Sequence, residues 1–262
     1  MNQPDKAPGE IGPRRKRPRR GVFILPSALT VGNIFFGYFA IVSTMQGEYD
    51  HAAVAIGLAM VLDMLDGRIA RLTNTATEFG LQLDSLADVV SFGIAPAILA
   101  LVWGLSTLPH GLGWIASFSF AICGAMRLAR FNVQAGRFKH FVGLPIPAAG
   151  GVIAAVVHFS REPLRGAVPQ FLMMASVFLL AFLMVSTIRY SSMKYLTLGK
   201  KSRLTLLALA LVLALIYNYS GPTLLVIAAA YALSGILVRI YHLLRRRHPT
   251  EELPLTESLQ HH

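Results

Sequence analysis

The chain has 262 residues, 54% hydrophobic and 14% charged, with a mean hydropathy of +0.55 and a formal net charge of +11. Soluble globular domains carry about 25% charged residues, so this composition excludes an ordinary soluble enzyme and points to a membrane protein. The positive charge is broken into short clusters between apolar runs, which excludes the basic face of a nucleic-acid binder, and no nucleic-acid partner is expected.

In chain order, residues 1–20 combine Pro, Lys and Arg with few hydrophobic residues and read as a disordered basic tail. The stretch "GVFILPSALTVGNIFFGYFAIVSTM" that follows is too long and lacks the cleavage pattern of a secretory signal. It predicts a retained helix over about 27–46. Further spans are predicted at about 51–73, 78–104, 113–134, 146–160, 167–188, 204–219 and 222–244. The fifth is short, its start set by the prolines of "GLPIPAAGG". Barrel-type alternation is absent, so the expected fold is all-α: a polytopic membrane bundle of about eight transmembrane helices. Residues 246–262 read as a polar C-terminal tail, and its closing His pair is set aside from metal-site reasoning.

Eight spans put both termini on one side. The clusters "RRKRPRR", "RLARFNVQAGRFKH", "RYSSMKYLTLGKKSR" and "RRRH" then all fall on that side, whereas the opposite loops carry only Arg161 and Arg165. By the positive-inside rule the basic side is cytoplasmic, and its charge is attracted to anionic membrane lipids. The expected location is the cell membrane. Cys123 is the single cysteine and cannot form an internal disulfide.

Acidic residues break the apolar pattern in one place, "VLDMLDGRIARLTNTATEFGLQLDSLADVVSFG". Asp63 and Asp66 are three residues apart and share a helix face, continued by Gly67 and Ala70. Gly80, Asp84 and Asp88 follow at intervals of four on the next helix. A short connection makes the two helices an antiparallel pair, so the acidic faces can meet. Carboxylates converging in a low dielectric need counter-charge. Aspartate oxygens without His or Cys suit Mg²⁺, Mn²⁺ or Ca²⁺, and Mg²⁺ is commonly held jointly by carboxylates and substrate phosphates. The two glycines leave room for a bulky ligand, and Arg71 offers planar donors to a phosphate. The constellation reads as a metal-assisted pyrophosphate site. A cation-coupled transporter is the alternative class for intramembrane acids.

The segment "DMLDGRIARLTNTATEFGLQLDSLAD" fits D-x2-D-G-x2-A-R-x8-G-x3-D-x3-D throughout and resembles the signature of the CDP-alcohol phosphotransferases. The resemblance implies an enzyme that binds a CDP moiety and displaces CMP by attack of an alcohol. It implies two divalent cations, Mg²⁺ or Mn²⁺, held by Asp63, Asp66, Asp84 and Asp88, with Asp88 also the general base. Gly67, Arg71 and Gly80 would line the CDP pocket. Asn33 would reach the cytidine or a phosphate, or else bond a neighbouring helix. It also implies a homodimer, a six-helix catalytic core over about 21–200 and two additional helices over about 201–245.

For the acceptor, "LPSALTVGNIFFGYFAI", "DVVSFGIAPA", "RLARFNV", "FVGLPIPAAGG" and "LMVSTIRYSSMK" are similar to the serine-using branch of that family. The implied substrates are CDP-diacylglycerol and L-serine, with glycerol phosphate or inositol phosphate as alternative acceptors. Ser91, Arg127, Arg130 and Asn132 are the candidate serine-binding residues; the arginines can equally anchor helix ends at the interface.

Overall fold

The computed structural model describes residues 24–73, 77–134, 143–188 and 214–245. No strand occurs among them. Seven principal helices are α1 (Ile24–Met45), α2 (Tyr49–Leu72), α3 (Glu78–Leu105), α4 (Leu112–Gln134), α5 (Ile146–Ser160), α6 (Ala167–Val185) and α7 (Ser220–Arg245). Each corresponds to a span expected from the apolar runs. The expected tails and most of the span at 204–219 lie outside the described residues, of which 214–218 form a helical turn.

Among the described residues, four helices are long and apolar enough to cross a membrane: Ser27–Met45, Glu78–Leu105, Pro109–Val133 and Ala167–Val185. Helix α2 has the length, but Asp63, Asp66, Arg68 and Arg71 interrupt its apolar character. Helix α5 is short, as the prolines foretold, with Pro145 at its N-cap and Pro147 in the first turn. Its entry is pinned to the end of α6 by Gly143 N–H donating to Ile188 O at 2.9 Å and Leu144 N–H to Leu183 O at 3.0 Å. Gly143 holds φ +85° against the Met184 carbonyl, a place where a Cβ has neither the backbone angle nor the space.

Close packing relies on small residues. Ala40, Ala52, Ala55, Ala59, Ala95 and Ala149 are buried between helices, with Phe92, Trp103 and Phe120 filling the wider gaps. Helix α3 is not uniform: wide π-type turns occupy Val89–Ile94 and Leu101–Leu105. The first follows Asp88 directly and is where α1 comes closest. A Cβ on Gly37 would lie 2.8 Å from Ser91 Cα, and Ser91 Oγ donates to Asn33 O at 2.9 Å. Large apolar side chains such as Phe35, Tyr38, Trp114 and Phe118 face outward, the surface a hydrocarbon environment requires.

A polar clasp joins three helix ends away from the acidic segment. His158, near the end of α5, sets Nδ1 2.5 Å from Asp50 Oδ1 and Nε2 2.8 Å from Ser220 Oγ. With Nδ1–H donating to the carboxylate, Nε2 accepts the Ser220 hydroxyl proton. The His158 side chain is only 11% exposed. Next to the clasp, a Cβ on Gly221 would lie 3.2 Å from Phe159 Cα, so α7 meets α5 without a cleft. Replacing His158 with Ala removes both hydrogen bonds, each worth about 1 kcal/mol, and should lower the apparent Tm in detergent by about 5 °C. His51→Ala, at an exposed site, should change it by less than about 1 °C.

Candidate metal centre and nucleotide pocket

Local capping returns the chain so that the acidic faces meet. At the end of α2, Thr73 Oγ1 donates to Ile69 O at 2.7 Å. At the start of α3, Thr77 takes extended backbone geometry and its Oγ1 accepts Gly80 N–H at 3.0 Å. A Cβ on Gly80 would lie 3.1 Å from that oxygen, so the glycine also makes room for the cap. A Thr three residues ahead of Gly80 is the local N-cap signal for this helix start.

The last third of α2 then faces the first turns of α3. Carboxylate oxygens of Asp63, Asp66 and Asp84 all lie within 4.8 Å of one another. Asp88, one turn further along α3, lies close enough to Asp63 for the two charges to interact. Asp66 and Asp88 are 4% and 9% exposed. Carboxylates this close and this dry repel unless a proton or a cation lies between them. Buried Asp84 Oδ1 and Asp88 Oδ1 have no hydrogen-bond partner, leaving lone pairs free for a ligand. The donor set is hard oxygen only and fits a divalent cation of the Mg²⁺ or Mn²⁺ type.

Helix α1 closes the site from the side. Thr30 Oγ1 donates to Asp66 Oδ2 at 3.1 Å and fixes that carboxylate. Thr30 was not among the sequence candidates, although it precedes Asn33 by one turn on the same face. Asn33 is fully buried, and neither its amide nitrogen nor its amide oxygen has a partner. An unpaired carboxamide in that position is costly and suits recognition of a polar ligand group. Near the outer end, exposed Arg71 Nε donates to Gly67 O at 2.8 Å, so its guanidinium lies along the bare backbone of Gly67.

The four acceptor candidates separate. Arg127 on α4 is buried, and its Nε has no partner. Its charge interacts with that of Asp88. Arg130 instead caps α6, with Nη1 donating to Val185 O at 3.2 Å and Nη2 to Ser186 O at 3.5 Å. Asn132 Nδ2 donates to Ser85 Oγ at 3.0 Å, in a groove between α3 and α4 also lined by Gln82, Leu86 and Val89. Ser91 is fully buried, with its hydroxyl engaged by the Asn33 carbonyl. Only Arg127 combines burial, an open donor and a link to the carboxylates.

Comparison with known proteins agrees with this geometry. The sequence profile of the CDP-alcohol phosphatidyltransferase family matches residues 23–188, which hold all four aspartates. The chain is 35% identical over 225 residues to a Helicobacter pylori protein named CDP-diacylglycerol–serine O-phosphatidyltransferase, covering 84% of this chain and 92% of that one. A Bacillus subtilis protein of the same name is 35% identical over 170 residues, 65% of this chain and 91% of its own. A Saccharomyces cerevisiae protein, again of that name, is 40% identical over 152 residues, 52% of this chain and 54% of its own.

The oxygen cluster should bind Mn²⁺ in the purified chain without any substrate. Asp84→Asn should weaken that binding at least about tenfold, and Thr30→Val, which frees Asp66, by about tenfold. Free Mn²⁺ measured by electron paramagnetic resonance checks both. Unchanged affinity in Asp84→Asn would remove the aspartate from the ligand set.

Proposed function

The chain belongs to the CDP-alcohol phosphatidyltransferase family, and we propose that it transfers the phosphatidyl group of CDP-diacylglycerol to the hydroxyl of L-serine, giving phosphatidylserine and CMP. The observation that carries this reading is the convergence of Asp63, Asp66 and Asp84 within 4.8 Å, beside Asp88. The name shared by the relatives supports serine as the acceptor.

Asp63, Asp66, Asp84 and Asp88 would hold two divalent cations, Mg²⁺ or Mn²⁺, which when bound neutralise pyrophosphate oxygens and the charge that builds on the leaving CMP. The protein's own residues do the rest. Gly67 and Gly80 keep side chains away from the nucleotide, and Arg71 turns its free guanidinium nitrogens to a phosphate. Asn33 offers its unpaired amide to the cytidine or a phosphate oxygen. Arg127 pairs with the serine carboxylate. Asp88 takes the proton from the serine hydroxyl as that oxygen attacks the phosphorus bearing diacylglycerol. The bond from that phosphorus to the CMP oxygen breaks, and CMP leaves with the electron pair. Arg130, Asn132 and Ser91 already have protein partners, and they support the acceptor site through helix ends and helix contacts.

The topology belongs to the same reading. Eight spans with both termini cytoplasmic put the aspartates near the cytoplasmic face of the cell membrane, where CDP-lipid headgroups and free serine meet. Acyl chains stay in the bilayer between outward-facing apolar side chains. The assembly is a homodimer, which cross-linking in native membranes would detect as a doubled mass.

The decisive measurement is CMP release from CDP-diacylglycerol in detergent micelles, with serine, glycerol 3-phosphate or inositol phosphate supplied as acceptor. Serine alone should support turnover, a chelator should abolish it, and Mn²⁺ or Mg²⁺ should restore it. Asp88→Asn should lower kcat by about 10²- to 10⁴-fold, with the KM for CDP-diacylglycerol little changed. Turnover with glycerol 3-phosphate instead of serine would reassign the acceptor.

A further inference from the structure

Helix α3 carries Asp84 and Asp88 on its least enclosed stretch. From Glu78 to Leu86 none of its residues is buried, and burial begins only with Ala87 and Asp88. The bundle first grips the helix at the wide turn Val89–Ile94 that follows directly, where Ser91, Phe92 and Gly93 are all buried. That turn has a cause in the sequence. Pro96 has no N–H to donate to the carbonyl of Phe92 four residues back, and its ring needs the space that carbonyl would take in a regular helix. The helix widens ahead of it, and Ala95 N–H reaches back five residues to Val90 O.

Once widened, the turn is held from two sides. On α5, a Cβ on Gly150 would lie 3.0 Å from both Phe92 O and Pro96 Cγ. On α1, Gly37 comes equally close to the Ser91 backbone, and Ser91 Oγ donates to Asn33 O at 2.9 Å. Contact with two bare backbones fixes how near α3 lies to its neighbours, but a helix can still turn about its own axis between them. The Ser91 hydrogen bond opposes that rotation. Ser91 and Asn33 are both fully buried, so water does not compete for the bond. Rotation matters here because a side-chain tip about 6 Å from the axis moves about 1 Å for every 10° of turn. A misplacement of about 1 Å can cost on the order of 10²-fold in rate.

We propose that Ser91 is a positioning residue: latched to α1 across the wide turn that Pro96 opens, it fixes the rotation of α3 and so aims Asp88 at the acceptor hydroxyl. This rests on the reading of Asp88 as the base given above. It gives the buried Ser91 hydroxyl a part in the reaction without contact with the acceptor, three residues from the carboxylate it holds in line.

The test measures serine-dependent CMP release by the full-length chain at saturating Mn²⁺, together with Mn²⁺ affinity in the absence of substrate and the apparent Tm. In Ser91→Ala, kcat should fall about tenfold, with the KM for serine, the KM for CDP-diacylglycerol and the Mn²⁺ affinity within about threefold of wild type. In an Asp88→Asn background the same change should lower kcat by less than about twofold, because the group it aims is already gone. A serine that only packs would lower the Tm and leave the kcat of the folded enzyme unaltered. That result, or a further loss of about threefold or more in the Asp88→Asn background, overturns the proposal. Ser91→Cys keeps nearly the same volume with a weaker donor, and its kcat should lie between those of Ser91→Ala and wild type. If Ser91→Ala does not fold, Ser91→Cys decides, and wild-type kcat in that variant overturns the proposal. Asp88→Asn with wild-type kcat would refute the base reading itself, and the inference would fall with it. A slow Asp88→Asn beside a Ser91→Ala of wild-type kcat removes the inference alone.

Discussion

Four carboxylates brought together inside an apolar helix pair are the constraint around which the rest of this bundle is arranged. Each loses hydration on burial, and each raises the cost of its neighbours. A protein can tolerate that only if something of opposite charge or strong hydrogen-bonding capacity meets them. The first turn of α1 within the bundle supplies Thr30 to Asp66, and α4 brings Arg127 toward Asp88. Neither contact neutralises the group: one neutral hydroxyl and one cation face four acids. The remaining demand for positive charge is what a divalent ion satisfies.

The geometry of α3 follows from the same constraint. Asp84 and Asp88 must point into the α2 interface, while Ser91 and Phe92, on the next turn, must pack against α1 and the core. A regular α-helix rotates about 100° per residue and would carry the acidic stripe straight on into that packing. The wide turn at Val89–Ile94 shifts the stripe, so the acidic face ends at Asp88 and a packing face begins at Ser91. Gly37 opposite allows α1 to close on this turn, which puts Asn33 at the depth of the carboxylates.

The helices were legible in the sequence because membrane insertion writes them as long apolar runs with charges between. The acidic faces were legible because i,i+3 and i,i+4 spacing survives folding unchanged. Partnerships across helices were not. Nothing in the local pattern says that Arg130 would turn to the last carbonyls of α6 while Arg127, three residues earlier, stays without a partner at Nε. The two share a helix face, and the difference is made by where α6 ends. Ser91 illustrates the same limit. Its spacing from Asp88 suggests a shared face, but the π-type turn changes the angle between them and gives the hydroxyl to α1. Thr77 and Thr30 are a different case: each sits at a recognisable local spacing, three residues before Gly80 and Asn33, but as a neutral hydroxyl it carries no charge to mark it.

The two polar regions of the bundle differ in how completely their groups are satisfied, and this difference separates structural polarity from functional polarity. At the clasp, Asp50, His158 and Ser220 use one another, and the helix contact beside them is tight. Around the carboxylates the opposite holds. Among the described residues, the buried side-chain atoms without a partner are those of Asn33, Asp84, Asp88, Arg127 and the Trp103 indole nitrogen. All but Trp103 belong to the proposed site, and they come from α1, α3 and α4. Folding alone would not select such a set, since each unpaired group costs stability and an apolar replacement would pack as well. A ligand with a phosphate-rich, divalent-cation-bound headgroup, an amide-recognisable base and an acceptor carboxylate would satisfy every one of them at once. In the proposed reading the unsatisfied groups are the complement of the substrate complex, and the cost they impose is returned as affinity when that complex forms.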